Sequence, residues 1–284
     1  MALIACLFIA SVIALAPATV SAQLTLYDDF NGQAVIDASK WRGGEDVVDP
    51  SQPAPAVFNS DIRREIVTDQ LRLLLTSHGP EGSSEFDNGT GISRNRLVLA
   101  HKGFIDGAPK IGLIEAAVTV AAAEAVPCVS HAELMEARAG VQGAFFRTSA
   151  LGNPERDMHA GIYLVQRSNG DEQIVAFTHD FLTGDRVARI FDETWTIGTP
   201  VVLTIRYQPT LNRFRFTARN GTNAAEEKFI TYTANDAPRR LCFAKQVQVE
   251  NVVHVCFGTS VMATMDARFD NVRISKGAVE SMVE

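Results

Sequence analysis

The chain has 284 residues, with 33 acidic against 26 basic side chains, a net charge of −7 and 46% hydrophobic residues. An acidic chain without clustered Lys and Arg lacks the electrostatic footprint of a nucleic-acid binder, and beyond the first residues no window reaches the roughly 18 apolar residues of a membrane span. Glycine and proline are scattered at turn spacing without a solenoid period, so one domain with a sizeable core is expected.

Leu3 to Ala16 is a short, uncharged apolar stretch followed by Pro17 and a small-residue site, Val20-Ser21-Ala22. It reads as an export signal over residues 1–22, cut before Gln23, although the usual positively charged start is missing. The expectation is a secreted, periplasmic or extracellular protein whose single domain spans 23–284. In an oxidising compartment the remaining cysteines, Cys128, Cys242 and Cys256, suggest a disulfide before a metal site. Cys242 and Cys256 enclose a short loop and alternate with apolar neighbours (Leu241 and Phe243; Val255 and Phe257). They are expected to face each other across adjacent strands, a closure worth about 3 kcal/mol in the chain-entropy model. Pairing of Cys128 with either one stays open, because connectivity is not written in sequence.

Asp29-Phe30-Asn31-Gly32 comes first, with Asp37, Lys40 and Trp41 behind it. Val57 to Glu65 and His78 to Ser93 read as long loops, the kind of segment in which binding residues concentrate. Between them, Ile66-Val67-Thr68 and Leu71 to Leu75 flank Asp69-Gln70 as a hairpin. Ile111 to Val120 reads as one long buried strand, and Ala132 to Ala139 as the one helical window. Ile162 to Val165 and Ile174 to Phe177 then flank Asn169-Gly170, the preferred pair for a two-residue type I′ turn. That turn sets Leu164 opposite Val175 and Ile162 opposite Phe177, one apolar face. The same register puts His159 opposite Asp180 on the face of Tyr163, with Glu155 and Asp157 just before. A carboxylate beside an imidazole raises its pKa and fixes its tautomer, so Glu155, Asp157, His159 and Asp180 are the catalytic set if the protein is an enzyme. A surface His and Asp pair at a strand end is the alternative.

Val201 to Tyr207 and Arg213 to Arg219 form the best-patterned hairpin, turning around Pro209 to Asn212. Leu203, Ile205 and Tyr207 are expected to face Ala218, Phe216 and Phe214. Arg206 then stands opposite Arg215 on the other face, which also carries Arg213 and Arg219. Like charges directly across a strand pair destabilise it. Either a neighbouring acidic strand offsets them, or Arg206, Arg213 and Arg215 hold an anionic ligand with guanidinium forks.

The Asp29 to Trp41 segment, with Ala267-Arg268-Phe269-Asp270-Asn271-Val272-Arg273-Ile274 near the C-terminus and short alternating strands between, resembles the secreted, laminin-G-like domains of the concanavalin A-like lectin/glucanase superfamily. The resemblance implies an all-β, two-sheet antiparallel sandwich, a jelly roll in which the first and last strands pair. It treats Trp41 and Trp195 as core residues and suggests a structural calcium where the terminal strands meet, with Asp29 and Asp270 as ligands. Retaining glucanases of that family carry two glutamates around an aspartate at alternating positions. In Glu155-Arg156-Asp157-Met158-His159 the third place is histidine, and after Glu85-Phe86-Asp87 it is Gly89. Without an intact glycosidase motif, the expected function is non-catalytic recognition of a glycan or cell-surface polymer, an acidic one if the arginine face is used. A glycan-cleaving enzyme with an atypical carboxylate and His site, and an extracytoplasmic structural or protein-interaction domain, are the alternatives.

Overall fold

The computed structural model describes residues 24–42, 59–78, 90–99, 111–128, 134–147, 157–233, 245–254 and 261–275. Within them run β1 (Leu24–Asp28), β2 (Trp41–Arg42), β3 (Asn59–Val67), β4 (Gln70–His78), β5 (Thr90–Leu99), β6 (Leu113–Ala125), β7 (Glu136–Arg147), β8 (Asp157–Arg167), β9 (Glu172–Asp180), β10 (Arg186–Ile190), β11 (Val201–Gln208), β12 (Arg213–Asn220), β13 (Glu226–Thr231), β14 (Lys245–His254) and β15 (Val261–Ser275). They form two antiparallel sheets. One has eight strands in the order β13-β12-β11-β6-β15-β4-β3, with β1 also on β15, and the other has seven in the order β10-β9-β8-β7-β14-β5-β2.

Alternation builds both layers, because successive side chains of a strand leave opposite faces. Leu71, Leu73 and Leu75 of β4, Leu203, Ile205 and Tyr207 of β11, and Phe214, Phe216 and Ala218 of β12 line the inner face of the larger sheet. Against them pack Ala139 and Val141 of β7, Ile162 and Leu164 of β8, Ile174 and Ala176 of β9, and Val247 and Val249 of β14. Trp41 and Trp195 are buried in this core, as expected. The β11–β12 register is the one read from the sequence: Leu203 pairs with Ala218, Ile205 with Phe216, Tyr207 with Phe214 and Arg206 with Arg215.

The terminal strands do pair, Leu24 with Ser275 and Thr25 with Ile274. Beside that seam the buried Asp28 carboxylate accepts hydrogen bonds from Trp41 Nε1 at 2.7 Å, Gln33 Nε2 at 2.7 Å, Lys40 Nζ at 3.0 Å and the Phe30 amide at 3.2 Å. The N-terminal motif is therefore a structural knot centred on Asp28, with Phe30 stacked on Trp41 at 5.8 Å.

Several local expectations give way. Glu136 to Ala139 belong to strand β7, not to a helix. The alanines there suit a helix by propensity, but Ala137 and Ala139 alternate into the core while Glu136 and Arg138 leave by the outer face, and tertiary packing overrides propensity. The loop expected over Val57 to Glu65 is instead strand from Asn59 onward, within β3, and the loop expected over His78 to Ser93 ends early, since β5 starts at Thr90. Thr68 and Asp69, both with positive φ, make the two-residue turn that was expected at Asp69-Gln70.

The β8–β9 hairpin is shifted by one residue. Gly170 N donates to Arg167 O at 2.9 Å and Gly170 has φ +92°, so Ser168-Asn169-Gly170 is a three-residue loop in which glycine takes the left-handed position. Leu164 therefore faces Ile174, Ile162 faces Ala176, and His159 faces His179 instead of Asp180.

Candidate ligand-binding site

The outer face of the seven-stranded sheet carries an unusual density of buried polar groups. On β14, Val247 and Val249 point into the core while Gln246, Gln248 and Glu250 leave by the other face, yet all three are almost without solvent exposure. Their neighbours cover them. Register places Arg94 of β5, Glu250, and Arg138 of β7 in one row, and Arg96, Gln248, Gly140 and Tyr163 in the next.

Glu250 is held from both sides: Arg94 Nε donates to Oε2 at 2.7 Å and Arg138 Nη1 to Oε1 at 2.7 Å. Arg138 turns its other edge to Glu136, whose second oxygen accepts from Arg167 Nε at 3.0 Å. The result is a ladder Arg94–Glu250–Arg138–Glu136–Arg167 across three strands and onto β8. Burial pushes the Glu250 carboxyl up, but the charges of Arg94 and Arg138 and their hydrogen bonds outweigh it and hold it below its usual range.

Beside the ladder, the Tyr163 hydroxyl donates to Gln142 and accepts from Gln248 Nε2. Burial, then the nearby Glu250 charge, pushes the phenol well above its ordinary value. It is a fixed proton donor. Its ring runs parallel to Phe177, 5.6 Å between centroids and 12° between planes, and Arg186 of β10 stands over Phe177 at 5.1 Å. Arg138, Tyr163, Val165, Phe177 and Arg186 border a cavity of about 240 Å³ that also touches Glu136 and Arg167.

His159 lies on the same face, four residues before Tyr163. Its ring meets Phe181 edge-on at 4.6 Å, and Phe181 stacks on His179 at 4.0 Å. Burial first, then the charge of Lys245, lowers the His159 pKa to about 3. Lys245 is itself buried, donating to the Ala144 carbonyl at 2.5 Å over the Phe145 ring. Asp180 takes no part here: its carboxylate accepts from the Leu182 amide at 2.9 Å and caps the turn after β9. The expected His159–Asp180 pair is not formed, because the three-residue loop moves the two residues to opposite faces. Glu155 lies outside the described residues, and Asp157 opens β8 opposite Arg147.

Arg206, Arg213 and Arg215 do share a face, that of the eight-stranded sheet on the far side of the sandwich. Arg215 pairs with Glu227 of β13, and Arg213 donates to Gln208 at 2.7 Å and stacks over Phe229 at 4.2 Å. A neighbouring acidic strand thus offsets part of the repulsion. Asp29 and Asp270 also come together, since the charge of Asp29 helps burial to raise the Asp270 pKa. Each carboxylate, however, accepts from a nearby backbone amide, that of Asn31 at 3.2 Å and of Asn271 at 2.6 Å. Among the described residues no third acidic, His or Cys side chain joins them. Each carboxylate therefore caps a turn. Cys242 and Cys256 lie outside the described residues, while Cys128 packs partly buried against the core.

Arg94, Arg138, Arg186, Gln248 and Glu250 were not singled out from sequence. The signal was there in Glu136-Ala-Arg-Ala and Gln246-Val-Gln-Val-Glu, where polar and apolar residues alternate strictly, the mark of a strand with one face in the core and one polar.

No protein-family model matches the chain, and no curated protein sequence matches it. Among solved structures it is similar to LamAcat from Zobellia galactanivorans, with 12% identity over 87% of this chain and 95% of that one and a TM-score of 0.46. An alginate lyase from Klebsiella pneumoniae shares 10% identity over 76% and 84%, at a TM-score of 0.43. Winged bean acidic lectin, in complex with methyl-α-D-galactose, shares 8% over 80% and 96%, at 0.37. The paired terminal strands and two antiparallel sheets are the architecture that the sequence resemblance implies.

Proposed function

We propose that this domain is exported and recognises an acidic glycan without cleaving it, with the ligand seated on the outer face of the seven-stranded sheet. The observation that carries this reading is the concentration of Arg94, Arg96, Arg138, Arg167 and Arg186 around Glu136 and Glu250, beside a cavity, in a protein of net charge −7. Guanidinium groups pre-positioned by ion pairs present planar forks to carboxylate or sulfate at little further entropic cost. Tyr163, fixed between two glutamines, adds an oriented hydroxyl.

The same geometry argues against chemistry at this face. Glu250 and Glu136 are each locked by two arginines, which removes them as proton donor or nucleophile. Tyr163 is held protonated. His159 is held neutral by a pKa lowered to about 3, which makes it a weak base, and four residues along a strand separate it from Tyr163 by about 13 Å. The two do not serve one bond. Cleavage is the second reading, favoured by that neutral His159, with Glu155, Asp157 and Asp180 as the remaining residues to substitute. Arg206, Arg213 and Arg215 are a second candidate surface on the opposite sheet.

Cys128 is proposed to be disulfide-bonded. Since Cys242 and Cys256 are the other cysteines after residue 22, its bond takes the place of a Cys242–Cys256 pair, and non-reducing peptide mapping distinguishes the two.

The test of the function is an array of uronic-acid, sulfated and neutral glycans probed with the protein from Gln23 onward, followed by product analysis of each hit. Binding of acidic polymers without shorter products supports the reading. Shorter products would establish the second one, and retention of neutral glycans alone would overturn the acidic preference.

A further inference from the structure

The arginines around the cavity are not equivalent. Arg138 is committed to Glu250 and Glu136, and Arg167 to Glu136. Arg186 differs: among the described residues it has no acidic partner, and it rests over the Phe177 ring at 5.1 Å. A cation over an aromatic face keeps its N–H edges available to another group. It also comes from a different place, the edge strand β10, three strands and so about 14 Å across the face from β7, which carries Glu136 and Arg138.

Between these walls the floor is Val165 and Val175, apolar side chains beside Tyr163 and Phe177. Phe177 lies low because β8 has Gly161 beneath it: a Cβ there would overlap Phe177 Cε1 and come within 2.7 Å of Cζ. The ring in turn fixes the height at which Arg186 stands. The cavity thus offers an apolar floor, a carboxylate with its positive partners on one side, and an uncommitted guanidinium on the other.

Resting on the acidic-glycan reading, we infer that Arg186 is the residue that determines specificity for charge, binding the carboxylate of a single hexuronate whose apolar ring face covers Val165 and Val175 and whose hydroxyls reach the Glu136 side. A pyranose has the required two-sidedness, and a hexuronate places its one anionic group at a ring edge. The committed arginines would orient the sugar, while Arg186 tells the acid from its neutral counterpart.

The experiment is isothermal titration of the full chain with a uronate oligosaccharide and with the matched neutral oligosaccharide, for wild type, Arg186→Gln, Arg186→Lys and Arg189→Gln. Arg189 is on the same strand, outside the cavity lining, and removes the same charge. Loss of a charge-assisted hydrogen bond predicts that Arg186→Gln weakens uronate binding about tenfold or more. Neutral binding should stay unchanged, Arg186→Lys should fall between, and Arg189→Gln should match wild type. Equal losses for both sugars, equal effects of Arg186→Gln and Arg189→Gln, or no effect of Arg186→Gln while wild type binds uronate would overturn the inference and leave the acidic-glycan reading standing. Failure of wild type to bind uronate would overturn the inference, and failure to bind sulfated glycans as well would overturn the acidic-glycan reading.

Discussion

Gly140 on β7 lies directly across from Tyr163 on β8, and the phenol ring fills the space that a side chain at Gly140 would need. A Cβ there would overlap the Ile162 carbonyl oxygen and come within 2.9 Å of Tyr163 Cδ1. Gly140→Ala must therefore displace either the β7–β8 ladder or the ring that Gln142 and Gln248 hold. Overpacking of this kind predicts a loss of about 1–3 kcal/mol in urea denaturation, with weaker glycan binding at temperatures where the variant remains folded. Unchanged stability would mean that the ring position is not fixed by this contact.

Glu250 is the next test, because its side chain is only 5% exposed and answers two arginines. Glu250→Gln leaves Arg94 and Arg138 without that countercharge and predicts a loss of about 3 kcal/mol at neutral pH. The pH dependence has a definite sign. The folded pKa lies below the ordinary 4.5, so the contribution is complete above that value and is lost as pH falls through the folded one. Wild type should accordingly lose stability more steeply than Glu250→Gln below about pH 4.5.

His159 acts over a higher window. Burial, with Lys245 next, holds its pKa at about 3 against an ordinary 6.5, so on acidification the unfolded chain takes up a proton that the folded protein refuses. Stability should fall from pH 6.5 downward towards 3, and His159→Gln should flatten that slope. The imidazole resonances of His159 should show no titration between pH 8 and 5; a midpoint near 6.5 would contradict the burial.

At the terminal seam, the Asp270 pKa is raised by burial and by Asp29. The sign is opposite to that of Glu250: ionisation is disfavoured in the folded state, so its contribution worsens as pH rises through the carboxylate range. Asp270→Asn should raise Tm slightly at pH 7, and added calcium should not shift wild-type Tm. A calcium-dependent rise in Tm that Asp270→Asn removes would show that these carboxylates hold a metal.

Sequence carried the sandwich well where one face is apolar and the turn chemistry is simple. The β11–β12 register was legible because Leu203, Ile205, Phe214 and Phe216 alternate cleanly around a short turn. At the β8–β9 hairpin both candidate registers bury a plausible apolar set, and Gly170 at φ +92° decided between them through a loop one residue longer. A one-residue slip exchanges the faces of one strand, which is why His159 lost Asp180. The site itself was harder to see. Arg94, Arg138 and Glu250 lie on three strands, β5, β7 and β14, far apart in sequence but adjacent in the sheet, and their approach is a property of topology. At Glu136 to Ala139, alanine content spoke for a helix, while the charge alternation spoke for the strand that formed.

The most direct test of where the ligand sits is amide chemical-shift mapping of isotopically labelled protein titrated with a short uronate oligosaccharide. Perturbations gathered at Arg138, Tyr163, Val175 and Arg186, with Arg206 to Arg215 unmoved, are the predicted result. Perturbations gathered instead at Arg206, Arg213 and Arg215, or none at saturating ligand, would contradict the placement of the site on the seven-stranded sheet.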